Sequence, residues 1–315
     1  MSDFRIAVLD DWQHIALAAA DWSPVQKQAE VVVFDRHLDE DEAAVQLRDF
    51  DALCMMRERM AMPRRMLERL PRLKLICITG AKHRTLDEDA VRERGIAVLA
   101  AAGAETGASS TSELAWGLIL AWMRRIPQEA QGMREGGWQT QCGSALRGKT
   151  LGLVGLGKLG KQMVPVAHAF GMQVRAWSSN LTPEAAASAG AQYTAKEDLF
   201  IISDIVSLHL VLGERSCGIV TRADLGRMRP QALLVNTARA GLVDQEALYE
   251  ALVQRRIGGA ALDVFDEEPL PAHDRLRTLD NVLLTPHLGY AVQEQMRAYQ
   301  QNTVRNIVEY LRVAR

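Results

Sequence analysis

Apolar runs of five to seven residues recur along the chain, each closed by a turn or by a segment with helical spacing. In the first third they are FRIAVL at 4–9, VVVFD at 31–35, DALCMM at 51–56, LKLICIT at 73–79 and IAVLA at 96–100. Short runs that are mostly apolar rather than alternating are the mark of strands covered on both faces. PRRMLERL at 63–70 and DEDAVRERG at 87–95 have helical spacing instead, the second with acids at its start and glycine at its end. Strand and helix in alternation predict a parallel sheet with crossover helices.

A second series follows: TLGLVGL at 150–156, QVRAWS at 173–178, IVSLHL at 205–210, ALLVNTA at 232–238, GAALDVF at 259–265 and VLLTPH at 282–287. Two successive α/β units are therefore expected, and only the second has a glycine loop after its first strand. In the first, the equivalent strand ends VLDD, and Asp10 with Asp11 would repel a phosphate. Between the units, STSELAWGLILAWMRRI at 110–126 opens on Ser/Thr residues with Glu113 behind them and then turns apolar, which predicts a capped, buried helix. QCGSALRGK at 141–149 reads as a loop, and YAVQEQMRAYQQNTVRNIVEYL at 290–311 as a terminal helix.

Composition narrows the class. At 315 residues, 48% hydrophobic and 24% charged, the chain is too long for one core, so two domains are expected. With 37 basic and 39 acidic residues it has no general attraction to nucleic acid or to an anionic membrane, which leaves small molecules and other copies of itself as partners. Cys54, Cys77, Cys142 and Cys217 form no CxxC, the first two lie in buried strands, and the histidines show no HExxH spacing. Neither a disulfide frame nor a metal site is expected. The opening MSDFRIAVLDDW is acidic where a secretory signal would be basic and then apolar, and the run at 114–123 is too short to cross a bilayer. A cytoplasmic protein is expected.

The chemistry begins at LGLVGLGKLG, 151–160. Gly155 permits a tight turn, Gly157 lets backbone approach a diphosphate, and Gly160 lets helix and strand pack closely. The N-terminus of the following helix, with Lys158 and Leu159, faces the negative charge. A dinucleotide is the expected ligand. About 20 residues on, an acid normally accepts the ribose hydroxyls of NAD, but here Ser178, Ser179 and Asn180 stand instead. No arginine replaces the acid, so a turn that tolerates NAD or NADP and one that slightly favours NADP both remain open.

GKTLGLVGLGKLG at 148–160, SDIVSLHL at 203–210, LLVNTARAGLVD at 233–244, GAALDVFDEEPLP at 259–271 and LLTPHLGY at 283–290 together resemble the D-isomer-specific 2-hydroxyacid dehydrogenases, over nearly the whole chain. The resemblance implies an α/β fold of two Rossmann-like domains with parallel sheets. One is a flavodoxin-like split substrate domain, residues 1–105 and 288–315; the other is an NAD(P)-binding domain, residues 106–287. It implies a homodimer joined through the cofactor domain, with the apolar helix near Leu114–Trp122 at the contact. It also implies a catalytic arginine, glutamate and histidine at Arg239, Glu268 and His287, with Asp263 near the nicotinamide carboxamide and Thr237 among the cofactor contacts. The residue types suit reduction of a 2-keto acid such as glyoxylate or hydroxypyruvate. Arg239 is a permanent cation with forked donors for a carboxylate and ketone, and His287 beside Glu268 is an acid for the new alkoxide. A different class shares the fold, the NAD(H)-sensing corepressors, whose long peptide-binding extension has no counterpart in this sequence.

The departures concern the substrate. The usual GxGxDNID loop of the first unit is here GAKHRTLD, 80–87, and the asparagine-and-proline loop before the long helix is replaced by AAAGAETGASS, 100–110. Backbone amides around Gly80 and Ala81 remain candidates for the carboxylate, and Arg57, in CMMRERM, is another candidate contact. Lys82 is either a contact for a second anionic group or a plain solvated lysine.

Overall fold

Among the described residues every paired strand runs parallel to its neighbours. The computed structural model describes residues 3–104 and 107–313, and the chain divides into two compact units, residues 1–107 with 292–315 and residues 108–291. Glu105 and Thr106, within the altered 100–110 stretch, lie outside the described residues.

In the first unit, β1 (Arg5–Val8), β2 (Glu30–Val33), β3 (Ala52–Met55), β4 (Leu75–Thr79) and β5 (Ala97–Ala101) form a sheet in the order β2-β1-β3-β4-β5. This is the flavodoxin-like order. Successive residues of β3 explain the unbroken apolar run: Leu53 and Met55 pack with Leu47, Phe50 and Leu67 on one face. Ala52 and Cys54 pack with Trp22, Cys77 and Ile307 on the other. Cys54 and Cys77 are register partners across β3 and β4. The hydrogen bond between their thiols, with burial, pushes the Cys54 thiol well above its usual range. Asp10 and Asp11 serve the turn after β1: Asp11 accepts the N–H groups of Ile15 and Ala16, and Asp10 meets His37 at 3.2 Å.

The terminal helix Gln293–Val313 buries Val304, Ile307 and Leu311 against this sheet. Its Asn302 and Asn306 donate side-chain amide N–H groups to the carbonyls of Ala102 and Ala100, at 2.7 and 3.1 Å. Four residues along a helix rise about 6 Å and two along an extended chain about 6.6 Å, so the spacings match and two carbonyls are satisfied, one in edge strand β5 and one just past its end.

The second unit contains β6 (Thr150–Val154), β7 (Gln173–Trp177), β8 (Gln192–Tyr193), β9 (Ile205–Leu208), β10 (Leu233–Asn236), β11 (Gly259–Leu262) and β12 (Val282–Leu284). Their order is β12-β11-β10-β9-β6-β7-β8. The winding reverses between β6 and β9, and at such a point the carboxyl ends of the strands open a crevice for ligands. Strand β8 is two residues long and carries no run the sequence reading could register.

The helix expected to be capped at Ser110 begins earlier, at Gly107, and ends at Met123. Ser110 and Thr111 therefore sit inside it, and their hydroxyls bond elsewhere in the fold. Ala115, Trp116, Leu118, Ile119 and Trp122 are buried in the unit's own core, while Glu113 and Gly117 are exposed. After Arg125, at φ 57°, a second helix Ile126–Arg134 follows, and Ile126, Met133 and Trp138 are exposed there. Among the described residues no helix is long and apolar enough to cross a membrane.

Candidate active site

The glycine loop leaves β6 at the point where the strand order reverses. Gly155 lies at φ 105°, and a Cβ there would stand 2.8 Å from the His209 carbonyl carbon. A Cβ on Gly160 would stand 2.2 Å from the Gly155 oxygen, whereas at Gly157, N-cap of the helix Lys158–Ala169, nothing lies within 4 Å. Two glycines are thus demanded by packing, and the third leaves the backbone open where a diphosphate would approach. Lys158 is exposed and Leu159 half-buried on the first turn of this helix. His209, behind the loop, bonds Ser207 at 2.9 Å, and burial pushes its pKa down to about 4, so it is neutral.

At the end of β7, Ser178 is half-buried, and Ser179 and Asn180 are exposed. Thr182, the other hydroxyl of the turn, accepts the Ala185 N–H as the cap of the next helix, which engages it within the chain.

Three neighbouring strand ends supply the expected catalytic residues. After β10, the Asn236 side chain accepts the Ala238 N–H at 3.0 Å and donates to the Arg239 carbonyl at 2.9 Å, which braces the turn presenting half-buried Arg239. Thr237 is buried in that turn with its hydroxyl unpartnered, as expected of a group that awaits a ligand. After β11, Glu268 accepts the Phe265 N–H at 3.0 Å through Oε1 and meets His287 Nδ1 at 2.6 Å through Oε2. Both side chains are about four-fifths buried, so the contact is not screened like a surface pair. His287, beyond β12, lies at φ 54°, a left-handed conformation that a residue with a Cβ holds only when its surroundings impose it.

Asp263 supplies part of that surrounding. Fully buried, it accepts the Thr285 hydroxyl and the Leu288 N–H through Oδ1 and the Gly289 N–H through Oδ2. Burial raises its carboxyl above the usual range despite these donors. Expected beside the nicotinamide, it has both oxygens engaged by the chain itself.

In the first unit the candidate substrate residues cluster at the ends of β3 and β4. Arg57 donates its N–H to the Thr79 hydroxyl, and its Nη1 lies 3.1 Å from where a Cβ on Gly80 would stand. Gly80 donates its N–H to the Ala101 carbonyl at 2.8 Å, so its amide belongs to the sheet, whereas Ala81 and Lys82 are exposed. His83, set aside in the sequence, is buried and has Nε2 without a partner; burial lowers its pKa.

Residues 116–289 match the family model for the NAD binding domain of the D-isomer specific 2-hydroxyacid dehydrogenases. The chain belongs to that family. This 2-hydroxyacid dehydrogenase is 37% identical over 87% of its length to D-3-phosphoglycerate dehydrogenase of Methanocaldococcus jannaschii, of which it spans about half, 52%. It is 35% identical to hydroxypyruvate reductase of Thermotoga maritima, over 91% of this chain and 93% of that one. Among solved structures it is similar to phosphoglycerate oxidoreductase of Vibrio cholerae o395, with a TM-score of 0.91, 36% identity and coverage of 98% of this chain and 99% of that one. As a member of the 2-hydroxyacid dehydrogenases it is an oxidoreductase with a nicotinamide dinucleotide domain.

Three features of this dehydrogenase escaped the sequence reading. Asn236 was within a quoted motif, and an Asx turn at NTA was its available signal. Tyr290, edge-on to His287 with ring centroids 5.7 Å apart, and the pair Ser110 and Thr111 carry no local signal.

Proposed function

We propose that the protein reduces a small 2-keto acid of the glyoxylate or hydroxypyruvate type to the D-2-hydroxy acid with NAD(P)H. The observation that carries the proposal is the partly buried 2.6 Å pair of Glu268 and His287, one strand end from the braced turn of Arg239. When bound, the nicotinamide supplies the hydride. Arg239 holds the carboxylate and polarises the ketone through forked donors. His287 gives a proton to the developing alkoxide while Glu268 orients the ring and balances its charge.

The open backbone at Gly157, the tight Gly155 and Gly160 and the unpartnered Thr237 hydroxyl support a dinucleotide on the second unit. In the first unit, Arg57, Ala81 and Lys82 are assigned as substrate contacts. The turn at 178–180 presents hydroxyl and amide groups and no carboxylate, which supports acceptance of NADPH with a small preference over NADH. Lys82 is assigned to a second anionic group on the substrate. The exposed apolar residues Ile126, Met133 and Trp138 support pairing with a second copy of the chain, in the cytoplasm.

The test is a panel of monoanionic and dianionic 2-keto acids with NADH and NADPH in parallel. His287→Ala and Arg239→Ala should each lower kcat/KM on the order of 10²-fold or more, and Lys82→Ala should weaken dianionic substrates more than glyoxylate. Reduction of glyoxylate by Arg239→Ala at nearly the wild-type rate would refute the catalytic assignment.

A further inference from the structure

We propose that Ser110 and Thr111 are positioning residues for His287, gripping the Gly289 carbonyl opposite Asp263 and so fixing the peptide that places the imidazole against Glu268. The proposal rests on His287 being the acid of the reaction above.

The Gly289 peptide is held from both sides. Its N–H donates to Asp263 Oδ2 at 2.9 Å, and its carbonyl accepts the Ser110 hydroxyl at 2.9 Å and the Thr111 hydroxyl at 2.8 Å. Two hydroxyls fill both lone pairs of that carbonyl. Ser110 is 5% exposed and Asp263 fully buried, so water does not compete at those two contacts. A Cβ on Gly289 would stand 3.3 Å from both Asp263 Oδ2 and Thr111 Cγ2, so the peptide has little room to shift.

Within a helix, serine and threonine hydroxyls ordinarily bond back to a carbonyl one turn earlier. Ser112 does this with Ser109. Ser110 and Thr111 converge on one carbonyl distant in sequence, although the helix is already anchored by Ala115, Trp116 and Ile119 in the core. What needs holding is the loop. Two residues before Gly289, His287 keeps a left-handed backbone at φ 54°, a conformation maintained by contacts on its flanks. Asp263 fixes Thr285 and Leu288, and the two hydroxyls complete the frame at Gly289.

The experiment is the double variant Ser110→Ala/Thr111→Val in the full chain. A displacement of His287 approaching 1 Å lowers kcat about 10- to 100-fold, while KM for NAD(P)H should stay within about twofold because the glycine loop is untouched. The exchanged pair Ser110→Thr/Thr111→Ser keeps both hydroxyls and should restore most of kcat. The imidazole ¹⁵N resonances of His287, assigned by difference from His287→Ala, should move in the first variant and return in the second. Unchanged kcat with unmoved resonances overturns the proposal, as does a loss of kcat that the hydroxyl-keeping pair fails to restore. Should Ser110→Ala/Thr111→Val not fold, Thr111→Val alone is scored by the same two measurements. If His287→Ala proves fully active, the assignment of the acid fails instead, and the ring resonances alone decide whether the hydroxyls position it.

Discussion

Glu268 meets two different demands with one carboxylate, an N–H from Phe265 on one oxygen and the ring of His287 on the other. Glutamine in its place keeps the shape but has one acceptor, so one of the two contacts is lost. Glu268→Gln should therefore lower kcat about 10-fold or more while KM for NAD(P)H stays within about twofold, because the ring loses the partner 2.6 Å away that orients it. Steady-state kcat and KM of both proteins check this; equal kcat would remove Glu268 from its role. The placement of Arg239, Glu268 and His287 at neighbouring strand ends was legible because each lies where an apolar run closes. The place of Asp263 was legible too, but not its bonds to Thr285, Leu288 and Gly289, since a buried acid's partners depend on how a loop folds back over 22 to 26 residues. The consumption of the Gly80 amide by Ala101 was hidden for the same reason: the motif gives the loop, and the sheet decides which amides remain.

At the scale of elements, the proposed cofactor preference is tested at the end of β7. Introducing the missing acid as Ser178→Asp should turn a small NADPH preference into a preference for NADH, by setting like charges together at the 2′ position and offering an acceptor to the ribose. The measurement is kcat/KM for both cofactors in both proteins. A wild-type enzyme that strongly prefers NADH would show that the turn holds the ribose without a carboxylate. Strands were the most readable elements because parallel sheets are buried on both faces, which leaves an apolar run in the sequence wherever one passes. The two-residue β8 was too short to leave one. The start of the helix Gly107–Met123 was misread for a different reason: Ser and Thr near a helix start suggest a cap, and nothing local reveals that Ser110 and Thr111 bond a carbonyl 179 and 178 residues away.

For the whole molecule, the first unit is made of two pieces of chain, and its core depends on the second. Ile307 is fully buried beside Trp22, Cys54 and Cys77. Ile307→Ala should cost about 2–5 kcal/mol in that unit. It should move the denaturation midpoint reported by Trp22 well below that reported by Trp116 and Trp122, because two units need not unfold as one. Chain order adds a kinetic consequence. The terminal helix hydrogen-bonds Ala104, Ala102 and Ala100 across separations of 191 to 206 residues, and the entropy of closing a loop grows with the logarithm of its length. Yet Ser110 and Thr111 bond Gly289, so a folded second unit brings the two ends of its own segment together. Once it has formed, the loop left to close shrinks to the order of ten residues, and the closure penalty falls by roughly 2–3 kcal/mol. The segment in the middle of the chain should therefore fold first and act as a splint, turning these distant pairings into nearly local ones. In pulse-labelling hydrogen exchange, amides of β6 and β9 should become protected before those of β5 and the terminal helix.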